Sequence, residues 1–168
     1  MRKRNYRVLG IDLASRTTGY ALVNKGKLYK KFYGTIKIPP KQSINKRLFD
    51  FSLELKSLIE RAESQHGLDL IVVESSPMRN NFKTSNILAM FEAMARFILY
   101  SLYGDATDTK VEFVGATTIR AQLKFPKEKE RVFELIQKRF KLNELSFNKD
   151  HDITDAIAIA LYGCKVGK

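Results

Sequence analysis

Four acidic residues in this chain stand where an acid is costly. The apolar run Val8-Leu9-Gly10-Ile11 ends on Asp12, and a second run, Leu70-Ile71-Val72-Val73, ends on Glu74. Farther on, Asp152 and Asp155 are three apart at the head of the apolar stretch Ala156-Ile157-Ala158-Ile159-Ala160, with His151 four from Asp155. A lone carboxylate among aliphatic neighbours loses hydration that only a cation or several donors can replace. A turn aspartate bonded to its own backbone accounts for Asp12 taken singly, and a favourable interaction with a helix dipole accounts for Asp152 or Asp155 taken singly. Neither accounts for all four acids together. Two strands each ending in one acid, and one helix beginning with two, can place the four at one edge of one sheet. Such a cluster is strained by like-charge repulsion until a divalent cation relieves it. Oxygen ligands without cysteine suit Mg²⁺, with Mn²⁺ as substitute, rather than zinc. Two such ions roughly 4 Å apart per active site are a general device for in-line phosphodiester hydrolysis.

The elements that must position these acids are legible in the periodicity. Residues 6–13, 18–24 and 27–36 read as three consecutive strands, the second and third turning at Asn24-Lys25-Gly26-Lys27, where glycine supplies a positive φ. Pro39-Pro40 ends this antiparallel meander. After the candidate N-cap Ser43, apolar residues at Ile44, Leu48, Phe51, Leu55, Leu58, Ile59 and Ala62 mark an amphipathic helix that stops near His66-Gly67. The strand over residues 68–74 is apolar on both sides and belongs in the sheet centre, parallel to its neighbours. From Thr84 to Tyr103 a helix carries apolar residues on two faces, and the second face predicts a partner subunit. Val111–Val114 is a fifth strand, followed by a short helix with Arg120 and Lys124. A helix from Lys127 to Phe140 should turn Val132, Leu135, Ile136 and Phe140 inward, and a last helix spans Asp152 to Gly163. The expected architecture is α/β: a mixed five-stranded sheet, three antiparallel strands then two parallel, with helices on both faces and one domain over residues 1–168.

Bulk composition points to the partner. The chain has 168 residues and 30 Lys+Arg against 18 Asp+Glu, a net charge of +12, which favours a polyanion bound by phosphate neutralisation. No helix shows the interfacial membrane pattern, and no uninterrupted apolar run nears the ~18 residues of a span. The single Cys164 can form no internal disulfide, so a reduced, cytoplasmic location is expected, host cytoplasm for a phage-encoded chain. No small-molecule cofactor and no membrane partner are expected. Candidate nucleic-acid contacts are Arg16 in the turn after Asp12, then Arg79, Phe82 and Lys83 after Glu74, and Lys124 and Lys127.

Gly10-Ile11-Asp12 with Ser15-Arg16 and Thr18-Gly19-Tyr20, then Val73-Glu74, then Asp152-Ile153-Thr154-Asp155-Ala156, resembles the motif set of the RuvC family of Holliday-junction resolvases in the RNase H-like superfamily. The short basic chain is similar to the phage-borne branch. The resemblance implies a homodimer that clamps a four-way DNA junction and nicks two strands symmetrically with Mg²⁺, in DNA recombination or phage DNA processing. It carries Asp12, Glu74, Asp152 and Asp155 over as catalytic metal ligands, places Arg120 and Lys129 near the scissile phosphate, and makes the two-sided helix the dimer helix. The chain departs from the family at Leu13-Ala14, where Pro-Gly is common. It departs again at Ser75-Ser76-Pro77-Met78, where some members carry a stacking aromatic; Phe82 is the candidate for that role here. A flap, fork or RNase H-type nuclease is the nearer alternative and a non-catalytic junction-binding protein the farther one. An actin-like ATPase, which shares the opening strand and turn, would need a second phosphate loop and about twice the length.

Overall fold

The computed structural model describes residues 6–75 and 81–167. Five strands form one sheet: β1 (Arg7–Asp12), β2 (Thr17–Asn24), β3 (Lys27–Lys37), β4 (Leu70–Ser75) and β5 (Val111–Gly115). Their order is β3-β2-β1-β4-β5, with β1 antiparallel to β2, β2 antiparallel to β3, and both β1/β4 and β4/β5 parallel. The β2–β3 turn takes positive φ at Lys25 (49°) and Gly26 (79°), the geometry that matches strand twist in a tight hairpin.

Side-chain alternation along the strands divides the core in two. Leu9, Ile11, Leu22, Ile71 and Val73 face α1 (Ile44–His66) and α2 (Phe82–Tyr103). Val8, Ala21, Val23, Leu70 and Val72 face the other layer, built from α4 (Ala116–Leu123), α5 (Lys129–Phe140) and α6 (Phe147–Val166). Helix α1 follows its expected bounds, since the Ser43 hydroxyl accepts from the Lys46 amide at 3.3 Å and Gly67 closes the helix at φ 67°. Between α2 and β5 lie a 3₁₀ turn (Gly104–Ala106) and the four-residue α3 (Thr107–Lys110), which the periodicity did not signal.

Three expectations need correction. Helix α6 starts at Phe147, five residues before Asp152, because Ser146 occupies the N-cap and its amide donates to the Asp150 carboxylate at 2.8 Å. Asp152 and Asp155 therefore lie beyond the first turn, and the helix dipole does not explain them. Helix α5 begins at Lys129, leaving Lys127 in the preceding loop, and it buries Val132, Phe133 and Ile136 while Leu135 stays 47% exposed. Its face is rotated toward Phe133 because the early start of α6 supplies Phe147, whose ring meets that of Phe133 edge-on at 5.6 Å. Finally, α2 with the turns through Lys110 is, by length and composition, apolar enough to cross a membrane, although no uninterrupted run suggested it. One side of α2, with Leu88, Phe91, Ala95, Ile98 and Leu99, is buried in the core with α1 and the sheet. The opposite stripe, Met90, Ala93, Phe97 and Tyr100, is exposed at the three-and-four spacing of one helix face, with Phe97 at 68%.

Candidate active site

Strand parity decides where the acids of β1 and β4 point. Val8, Gly10 and Asp12 alternate onto the α6 side of β1, and Leu70, Val72 and Glu74 do the same on β4. The parallel register pairs Ile11 with Val73, so Asp12 and Glu74 emerge side by side at the carboxyl edge of the sheet. On the other flank of β1, Asp12 pairs with Gly19.

Helix α6 completes the cluster by lying unusually close to the sheet. A Cβ at Gly19 would fall 1.9 Å from the carbonyl oxygen of Asp152, and one at Gly10 would fall 2.3 Å from that of Ala156. About two helical turns past Ala156, Gly163 of α6 packs on the side chains of Val8 and Val72 with the same lack of spare room. Gly10 and Gly19 permit helix backbone to rest on strand backbone, so that Asp152 comes over Gly19 beside Asp12, and Asp155 follows on the same face of α6.

The electrostatics are those of a crowded acidic pit. Burial, reinforced by Asp155, Glu74 and Asp152, holds the Asp12 carboxyl well above the usual carboxylate range, with Lys129 opposing. Glu74 is raised by burial and by Asp155, against Lys129 and Arg120. Asp152 is raised by burial and then by Asp155, against the lowering influence of His151, whose Nε2 lies 3.3 Å from the Asp152 carboxylate. The compensating charge inside the pit is Lys129, whose Nζ donates to Asp155 Oδ2 at 2.9 Å. Its ammonium is held above the ordinary lysine range: burial works against the charge, and Asp155, Asp12 and Glu74 outweigh it.

Among the described residues no three acidic or imidazole side chains close on a common point as a formed metal site does. Asp155 turns its carboxylate to Lys129 instead, the only cation at hydrogen-bond distance from it among those described. The donor chemistry still fits a hard divalent cation, because buried like-charged oxygen donors without sulfur are the set Mg²⁺ and Mn²⁺ prefer. Beside the acids a crevice of about 20 Å³, room for roughly one water, is lined by Glu74, Asp155, Arg120 and Lys129 over apolar residues of α4, α5 and α6.

Arg120 and Lys129 thus line the pit itself. Lys124 is the left-handed cap of α4 (φ 56°), and Lys127 lies in the loop between α4 and α5; both are exposed. Arg16 is exposed in the turn after Asp12, and Phe82, 78% exposed, opens α2 with Lys83 beside it. Arg79 falls outside the described residues. Sequence reasoning missed the packing role of Gly10, Gly19 and Gly163; alternation would have flagged the first two, which stand at apolar-face positions of β1 and β2 where a side chain was expected.

Antiparallel meander, crossover helix, two parallel strands and a final helix under paired acids define an RNase H-like nuclease fold. The same fold is seen in Thermus thermophilus RuvC in complex with Holliday junction substrate, which aligns over 96% of this chain and 94% of its own at a TM-score of 0.74 and 16% identity. The yeast mitochondrial Holliday junction resolvase Ydc2 aligns over 95% of this chain and 78% of its own at a TM-score of 0.63 and 15% identity. In sequence, residues 8–163 match the family model described as crossover junction endodeoxyribonuclease RuvC. The RuvC of Campylobacter jejuni strain RM1221 is 31% identical over 160 residues, covering 94% of this chain and 93% of that protein. The chain belongs to the RuvC family of metal-dependent crossover junction endodeoxyribonucleases.

Proposed function

We propose that this chain binds four-way DNA junctions as a homodimer and nicks two opposed strands. The observation that carries the reading is the gathering of Asp12, Glu74, Asp152 and Asp155 around Lys129 at one sheet edge, in a chain of this family and of net charge +12. Those four acids are the residues that would hold Mg²⁺, two ions per site with Mn²⁺ as substitute; a metal bound there would supply activation of water and stabilisation of the leaving oxygen. Lys129 and Arg120, the cations that already lower the charge cost of the pit, would take the scissile phosphate. Arg16, Arg79, Lys83, Lys124 and Lys127 supply backbone contacts, and Phe82 offers an exposed ring for base stacking.

A junction is two-fold symmetric, and two copies paired through the exposed stripe of α2 present two pits to opposed strands. Such DNA arises during recombination, repair and phage DNA processing, and the place of action is the cytoplasm. The deciding experiment offers a mobile four-way junction, a flap, a replication fork and an RNA/DNA hybrid in parallel, with the nicks mapped on every strand. Paired nicks in opposed strands of the junction are expected. Preference for the hybrid, or binding to the junction without any nick, would overturn the reading.

A further inference from the structure

Three consecutive carbonyls follow Asp12 by two residues, and each is held by a donor from a different element. Ala14 O accepts from the Thr18 hydroxyl at 2.9 Å, Ser15 O from Arg47 Nη2 at 2.5 Å, and Arg16 O from the Ile38 amide at 2.8 Å. Two of these donors come from the sheet itself or the segment that leaves it. The third comes from α1, on the opposite side of the sheet from α6, and is the one charged donor of the three.

Arg47 is an expensive way to hold a carbonyl. Its side chain is buried at 8% exposure, and its Nε finds no hydrogen-bond partner among the described residues. Among the described residues no carboxylate is paired with it; the face of Phe91, 5.5 Å from the guanidinium, is the other compensation. It also sits in the first turn of α1, a turn with no acid, where the positive end of the helix dipole disfavours a cation. An apolar side chain would serve packing here better, because a buried, incompletely bonded charge is unfavourable. What the guanidinium does that an apolar group cannot is reach the Ser15 carbonyl.

We infer that Arg47 is a positioning residue: it fixes the loop from Leu13 to Thr17, and with it the setting of Asp12 at one end and of the exposed Arg16 in its middle. The inference rests on the nuclease reading for its consequence in cutting but not for its consequence in the loop. Among the described residues Arg47 makes no hydrogen bond or ion pair with the four acids, Arg120 or Lys129, so its effect on cutting passes through the backbone of residues 13–17.

The test compares the full-length wild type with Arg47→Met and Arg47→Lys. Each is scored by melting temperature, amide exchange over residues 13–18, junction affinity in chelator, and the single-turnover nicking rate with Mg²⁺ at saturating protein. Arg47→Met is expected to remain folded, exchange its loop amides about tenfold faster, and nick bound junction roughly tenfold to a hundredfold slower, with junction affinity little changed. Arg47→Lys, which keeps a donor, is expected between the two. Wild-type loop exchange together with a wild-type nicking rate in a folded Arg47→Met overturns the inference. A merely structural role predicts losses that track melting temperature and spread over the whole chain, and that pattern overturns it too. If Arg47→Met does not fold, Arg47→Lys decides: faster loop exchange with slower nicking supports the inference, and wild-type values of both overturn it. If the wild type nicks no junction the nuclease reading fails, while loop exchange still decides the role of Arg47.

Discussion

Replacing Gly19 by alanine adds one methyl group where α6 rests on β2. The new Cβ would lie 1.9 Å from Asp152 O and 2.5 Å from its carbonyl carbon, whereas ordinary contact begins at 3.4 Å, so helix and strand must part by about 1.5 Å. The obstacle is backbone on both sides, and no flexible side chain can swing away. Overpacking of this kind costs about 1–3 kcal/mol, which in a domain of this size lowers the melting temperature by roughly 2–12 °C. The displaced backbone is that of Asp152 itself, and a misplacement of about 1 Å at a reacting centre costs on the order of a hundredfold in rate. Gly19→Ala should therefore melt a few degrees early, bind junction DNA nearly as the wild type does, and nick it far more slowly. Gly115→Ala is the matched control, because the nearest atom to its Cβ is 4.0 Å away and the site tolerates the methyl. Melting curves, binding in chelator and single-turnover nicking measure all three effects. A Gly19→Ala protein with wild-type melting and nicking would refute the claim that a close-packed α6 seam sets the acid cluster.

Asp12→Asn should raise the melting temperature in metal-free buffer near neutral pH while abolishing nicking. The native Asp12 carboxyl holds its proton above the unfolded value, so the fold bears no penalty at pH below the ordinary carboxylate range and loses stability as pH rises through the native pKa. The advantage of asparagine should vanish below about pH 4, and an advantage that persists unchanged there would contradict the assignment. Phe97→Glu, on the exposed stripe of α2, should shift sedimentation toward monomer and unlink the paired nicks; unchanged association would place the dimer contact elsewhere. Junction affinity should fall steeply with salt, and Lys127→Ala should shallow the log–log slope by about 0.9 if that side chain contacts one phosphate.

Much of this protein is written locally. The unbroken apolar runs Val8 to Ile11 and Leu70 to Val73 mark both strands, and each strand ends on its acid. Ser43 and Gly67 bound α1 as capping chemistry requires, and Asp152-x-x-Asp155 keeps two acids on one helix face wherever that helix begins. What the chain could not reveal alone involves partners distant in sequence. The rotation of α5 that buries Phe133 and exposes Leu135 depends on Phe147, which α6 presents from its early first turn. The placement of Lys129 within the acid pit depends on α5 meeting α6, because a lysine at a helix start is ordinarily a solvated charge. The need for glycine at positions 10 and 19 is created only when α6 lies across them. Asp12 was recognisable from sequence as an acid in need of partners, since burial of charge is costly in any fold. Only the tertiary structure decided how close those partners come, because that distance is set by backbone contact between a strand and a helix more than a hundred residues apart.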